Sequence, residues 1–99
     1  QGDGKGAIID LNKSIEYNPT YSEAYFTRGM IKSALGDQRG AIQDCTSAIK
    51  LNPKYAEAYY VRGLIKHSQS DENGGCLDLS KSGELGYTQA YKVISDYCN

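Results

Sequence analysis

Tryptophan is absent from the 99 residues, phenylalanine and methionine occur once each, and proline occurs only at positions 19 and 53. No uncharged apolar run approaches the roughly 20 residues that a membrane-spanning helix needs, which excludes such a span and leaves a soluble chain as the expectation. Neither sign of charge dominates. Eleven basic and twelve acidic side chains give a formal net charge of -1, too little field to draw in nucleic-acid phosphates or an anionic bilayer, so nucleic acid is not an expected partner. The three cysteines form no CxxC pair and His67 is the only histidine, short of the four ligands of a structural zinc site, so no metal is expected. No basic-then-apolar leader opens the sequence, and compartment is not legible from that end. The cytoplasm is preferred over a periplasmic or secreted setting.

What the chain has in excess is tyrosine, nine residues of it, and each brings a large, fairly rigid ring with a hydroxyl that wants a partner or water. It also has an internal repeat. Gly2-Asp3 recurs 34 residues on as Gly36-Asp37, and 17 of the 34 positions from 2 to 35 are identical in 36 to 69. The identities include Ala7/Ala41, Asp10/Asp44, Ile15/Ile49, Asn18-Pro19/Asn52-Pro53, Tyr21/Tyr55, Glu23-Ala24-Tyr25/Glu57-Ala58-Tyr59 and Arg28-Gly29/Arg62-Gly63. A weaker third copy starts at Ser70 and keeps Asp71, Gly74, Asp78 and Leu85, with Ala90-Tyr91 answering Ala58-Tyr59 after a two-residue loss.

Gly-Asp and Asn-Pro punctuation divides the copies into helix-length pieces, because proline cannot continue a helix and pushes the residue before it out of the α region. The spacing predicts helices over about 5–17, 21–35, 38–51, 55–69, 72–85 and 87–97. Apolar residues recur within them at helical period, as in Ala41, Ile42, Cys45, Ala48 and Ile49, and nothing alternates with a strand period. The fold class is all-α, a single domain of antiparallel helix pairs.

Short helices with Tyr25 and Gly29 in the first of a pair, Ala41, Cys45 and Ala48 in the second, and Pro53 closing the unit resemble the tetratricopeptide repeat, in arrays of the bacterial type. The resemblance implies a right-handed solenoid of about six helices that acts as a non-catalytic scaffold for a protein or peptide ligand. In that reading residues 1–19 are the second helix of a truncated repeat, 20–53 a full repeat, 54–86 a degenerate one and 87–99 a capping helix. Glycines 74, 75 and 83 depart from the pattern and predict the least stable helix. The stripe of Ala7, Ile8, Leu11 and Ile15 needs a cover, either a further N-terminal repeat or a second chain, so a homodimer or filament through exposed repeat ends is the alternative reading.

The same resemblance implies that the first helices line a concave face, with Glu23, Phe26, Thr27, Met30 and Ser33, then Glu57, Tyr60, Val61, Leu64 and His67, then Gln89 and Lys92 facing a ligand. That is an apolar and aromatic surface with an acidic rim, suited to a segment with apolar anchors and basic flanks. It lacks the Lys, Arg and Asn with which family members grip the acidic C-terminus of chaperones. Catalysis is not expected: Ser68 is adjacent to His67 on a helix and diverges from it, leaving Asp71 one turn on as the only candidate partner. The glycines of Gly2-Asp3-Gly4-Lys5-Gly6 read as a turn and N-cap, since a phosphate cradle sits between a strand and a helix. No cofactor is expected.

Two pairings complete the expectations. Asp10, Arg28, Asp44, Arg62 and Asp78 alternate in sign at offsets that place each Arg opposite two Asp across helix hairpins, predicting a ladder that fixes register. Folding the last hairpin about Gly86-Tyr87 brings Cys76 and Cys98 together, either as a disulfide or as two packed thiols, the state that a reducing cytoplasm favours. Cys45 reads as a small core residue.

Overall fold

The computed structural model describes residues 3–98; Gln1, Gly2 and Asn99 lie outside them. Six helices follow in order: α1 Gly4–Tyr17, α2 Ser22–Ala34, α3 Gln38–Leu51, α4 Ala56–Ser68, α5 Glu72–Glu84 and α6 Gln89–Tyr97. No strand occurs among the described residues. The chain divides at Pro53 into two compact units, residues 1–53 with α1 to α3 and residues 54–99 with α4 to α6.

Each second helix starts on the same device. Asp3, Asp37 and Asp71 are N-caps whose carboxylates accept from the backbone N–H groups of Gly6, Gly40 and Gly74, at 3.0, 2.9 and 3.0 Å. An oxygen acceptor there satisfies one of the orphan donors of a helix N-terminus. The third residue after each Asp is glycine because the carboxylate occupies the space that a Cβ would need. The glycine run at the N-terminus is therefore a cap, as its described part shows.

The preceding helices end on a left-handed residue: Gly36 at φ 92, Ser70 at φ 71 and Gly86 at φ 107. The next N–H reaches back across the turn, Asp37 to the Lys32 carbonyl at 2.8 Å, Asp71 to Lys66 at 2.9 Å and Tyr87 to Ser82 at 3.1 Å. Among the described residues Ser70 is the one that carries a side chain into this conformation. Replacing it with glycine removes a steric cost of the order of 1 kcal/mol, partly offset by a freer unfolded chain, so the thermal midpoint of Ser70→Gly should rise by about 2–4 °C. A midpoint at or below the parent value in calorimetry would contradict that reading.

Cores are built from small residues. Ala24, Ala41, Cys45, Ala48 and Ile49 are buried in the first unit, and Ala58, Ile65, Leu79 and Ala90 in the second. Close approach is what they permit. A Cβ on Gly63 would stand 2.9 Å from the Gly75 carbonyl oxygen, and one on Gly83 would enter the Tyr91 ring at 2.7 Å. The α5 glycines that depart from the repeat pattern are thus a cap, a helix crossing and a seat for an aromatic ring. Ser82, fully buried, donates to the Ala56 carbonyl at 2.8 Å.

Cys76 and Cys98 are joined in a disulfide with Cα atoms 5.8 Å apart, which corrects the reduced state favoured for a cytoplasmic chain. The Gly86 turn sets α6 back along α5, and Tyr91 seated on Gly83 draws the two helices within bridging distance. Cys45, outside the bridge, is buried in the first unit.

Candidate functional site

In each unit a buried carboxylate is held by two cations. Arg28 donates from Nε to Asp44 Oδ2 at 2.8 Å and from Nη2 to Oδ1 at 2.7 Å, and Lys32 Nζ lies 3.3 Å from Oδ2. The second unit repeats the clamp: Arg62 reaches Asp78 through Nε at 2.7 Å and Nη2 at 2.8 Å, with Lys66 at 3.4 Å. The Asp side chains are 5% and 8% exposed, so these are parallel, charge-assisted bonds shielded from water. Each guanidinium also lies over a tyrosine one turn back, Arg28 on Tyr25 at 5.6 Å and Arg62 on Tyr59 at 5.7 Å. The bonds to Asp44 hold the Arg28 pKa above its ordinary value against the opposing effect of burial, so loss of the guanidinium charge, which would end the pair, is pushed above the ordinary arginine range.

The ladder differs from expectation at its first rung. Arg28 gives Nη1 to Asn12 at 2.8 Å instead of pairing with Asp10, which is exposed. The register explains it, since both partners of Arg28 are 16 residues away, Asn12 before it and Asp44 after it, whereas Asp10 is displaced by half a turn. Lys32 and Lys66 were missed by sequence reasoning; the signal was the repeated Arg-Gly-x-Ile-Lys, which puts a second cation one turn after each Arg.

These clamps fix the first helices α2 and α4, whose other faces carry the candidate ligand residues. On α2, Glu23, Thr27 and Met30 lie exposed one turn apart, Met30 at 48%, with Phe26 half-buried beside them. The neighbouring Glu23 carboxylate, as a hydrogen-bond acceptor and a negative charge, holds the Tyr21 pKa above the ordinary value. On α4, Glu57 is exposed while Tyr60, Val61, Leu64 and His67 are half-buried. Two of these are shared with the C-terminal segment: the Tyr60 ring lies 4.8 Å from that of Tyr87, and His67 lies 5.0 Å from Tyr97. Tyr87, ahead of α6, and Tyr97, at its end, thus use the α4 face as a seat, pairings across 27 and 30 residues that no local spacing announces.

The residues weighed for catalysis do other things. Ser68 donates its hydroxyl to the Ile65 carbonyl at 2.7 Å, the Asp71 carboxylate caps Gly74, and the His67 ring faces Tyr97. No three His, Cys, Asp or Glu side chains among the described residues gather as metal ligands would, and none of their helices is long and apolar enough to cross a membrane.

Six helices in hairpins, with the same cap, clamp and glycine crossing recurring along the chain, define an all-α helical repeat fold. The profile of the tetratricopeptide repeat matches residues 11–43, within a fold that the chain shares with solved tetratricopeptide repeat proteins. The chain is similar to the solved first TPR of Spaghetti (RPAP3) bound to HSP90 peptide SRMEEVD, with 23% identity, a TM-score of 0.93, and coverage of 99% of this chain and 79% of that one. A structure of MamA protein shares 30% identity over 94% of this chain and 52% of that one, with a TM-score of 0.86. YrrB, described as a TPR protein with an unusual peptide-binding site, shares 21% identity over 93% of this chain and 48% of its own, with a TM-score of 0.84. The chain spans about half the length of the MamA and YrrB structures. No curated protein sequence matches it.

Proposed function

We propose that the chain is a non-catalytic scaffold that binds segments of another protein, on the exposed face of α2 in the first unit and on that of α4 in the second. The observation that carries this reading is the stripe of Glu23, Thr27 and Met30, an exposed thioether anchor flanked by a carboxylate on a helix whose back is locked by the Arg28–Asp44 clamp. Met suits a surface that adapts to varied side chains. Glu57 repeats the carboxylate on α4, above half-buried Tyr60, Val61 and Leu64. Solved relatives of this fold that hold peptides support the role, but the chemistry points to a different peptide. SRMEEVD is acidic, and the carboxylates of Glu23 and Glu57 would repel it, so the ligand of this chain carries basic residues around aliphatic or aromatic anchors.

Selection of a displayed random peptide library on the whole chain tests this. Enriched sequences should place Lys or Arg beside apolar residues. Met30→Ala should weaken a selected peptide about tenfold, as loss of a buried anchor does, while Glu23→Lys with Glu57→Lys should reduce both affinity and its salt dependence. Enrichment of acidic peptides, or affinities unchanged in both variants, would refute the assignment.

A further inference from the structure

α6 is anchored at one end and tied at the other. At its start the Tyr87 N–H reaches the Ser82 carbonyl at 3.1 Å, the Tyr87 ring lies 4.8 Å from that of Tyr60, and Ala90 is fully buried. From 91 to 97 no residue is buried: Tyr91 is 51% and Tyr97 59% exposed, and the ion pair of Lys92 with Asp96 lies within the helix itself. Beyond them the Cys76–Cys98 bridge holds the end, with the adjacent Tyr97 ring 5.0 Å from His67. At 9 residues α6 is too short to persist in water without packing, and Thr88 gives it no side-chain cap.

Tyr60 and His67 stand two turns apart on α4 with Leu64 between them, so the segment from Tyr87 to Tyr97 runs along this face from one ring contact to the other. The bridge that holds it there is within reach of solvent. Both cysteines are half-buried, and both line two clefts, one of about 520 Å³ with Leu77, Ser80 and Ile94 and one of about 190 Å³ with Glu72 and Tyr97.

We infer that the Cys76–Cys98 disulfide is a redox latch: reduction by a dithiol frees the outer half of α6, residues 91–98, to come away from α5 and uncover the His67 end of the α4 face. One thiolate of the reductant attacks a sulfur of the bridge, and the other cysteine leaves as a thiolate that takes up a proton. The second thiolate then displaces the remaining cysteine, which is protonated in turn, and the reductant is left as a disulfide. Two electrons and two protons pass to the chain. Without the bridge, the outer half of α6 is held by exposed rings on His67 and Gly83 and by half-buried Val93 and Ile94, too little burial to offset the entropy of ordering it. Its start stays in place, because Ala90 and the Tyr87 hydrogen bond do not depend on the bridge. What the uncovered face then binds rests on the ligand reading above, whereas the release of α6 does not.

NMR of the whole chain without peptide tests this, in the oxidised state, after reduction with dithiothreitol, and in the double variant Cys76→Ser, Cys98→Ser. Backbone order parameters at 93–97 should fall from about 0.85 to below about 0.6 on reduction and in the variant, while those of 58–65 hold. The cross-peak between the His67 and Tyr97 rings should vanish with them. Diethyl pyrocarbonate should modify His67, the only histidine, severalfold faster in the reduced chain, and equally so in the oxidised Tyr97→Ala chain. Unchanged order at 93–97 makes the bridge a staple and overturns the inference. Order lost throughout 56–97 makes it the support of the whole unit and overturns the inference as well. Peptide affinity is read separately: with 93–97 released as expected, an affinity unmoved by reduction counts against α4 as a ligand face and not against the latch.

Discussion

Asp44→Ala should lower stability by about 3 kcal/mol, because it strands Arg28 and Lys32 in a partly buried setting with their shared carboxylate gone, and Asp78→Ala should do the same to Arg62 and Lys66. For a chain of this size that is a fall in thermal midpoint of more than about 12 °C. Asp96→Ala is the control: its partner Lys92 lies 3.9 Å away with both side chains exposed, and such a pair contributes only about 0 to 1 kcal/mol. Calorimetry of the three variants gives the comparison, and equal small shifts in all would reduce the clamps to surface charges.

The second large effect belongs to the disulfide. Cys76 and Cys98 are 22 residues apart, and closing a loop of that length removes unfolded-state entropy amounting to about 3 kcal/mol. A reductant should therefore lower the midpoint of the parent by about 12 °C or more and leave the double variant Cys76→Ser, Cys98→Ser unchanged at its already lower value. Alkylation of the unfolded, unreduced chain should modify one cysteine, Cys45, and all three after reduction. Three alkylated cysteines without reductant would remove the bridge from the account.

The helix boundaries were legible because the punctuation is local. Asn-Pro and Gly-Asp stop helices by steric and capping rules that hold whatever surrounds them, and the six elements fall within two residues of the sequence reading. The Cys76–Cys98 neighbourhood was legible for a similar reason, since a single hairpin about one turn sets it.

Features that depend on how helices cross were not. The 16-residue offset that pairs Arg28 with Asp44 leads to Asn12 on the other side, so the 18-residue offset read for Asp10 is half a turn out of register. The left-handed Ser70 was invisible because nothing in serine announces that conformation; only its alignment with Gly36 could have done so. The shared roles of Tyr60 and His67, read as ligand residues yet seated against Tyr87 and Tyr97, arise from packing between distant segments.

The central claim is that the exposed faces of α2 and α4 receive the ligand. Titrating a nitrogen-15-labelled chain with a library-selected peptide, and following every backbone amide by NMR, tests it most directly. Shift changes concentrated in 22–34 and 56–68, largest near Glu23, Thr27, Met30, Glu57 and Leu64, are the predicted result. Changes confined to α1, α3 and α5, with those two helices unmoved, would contradict it.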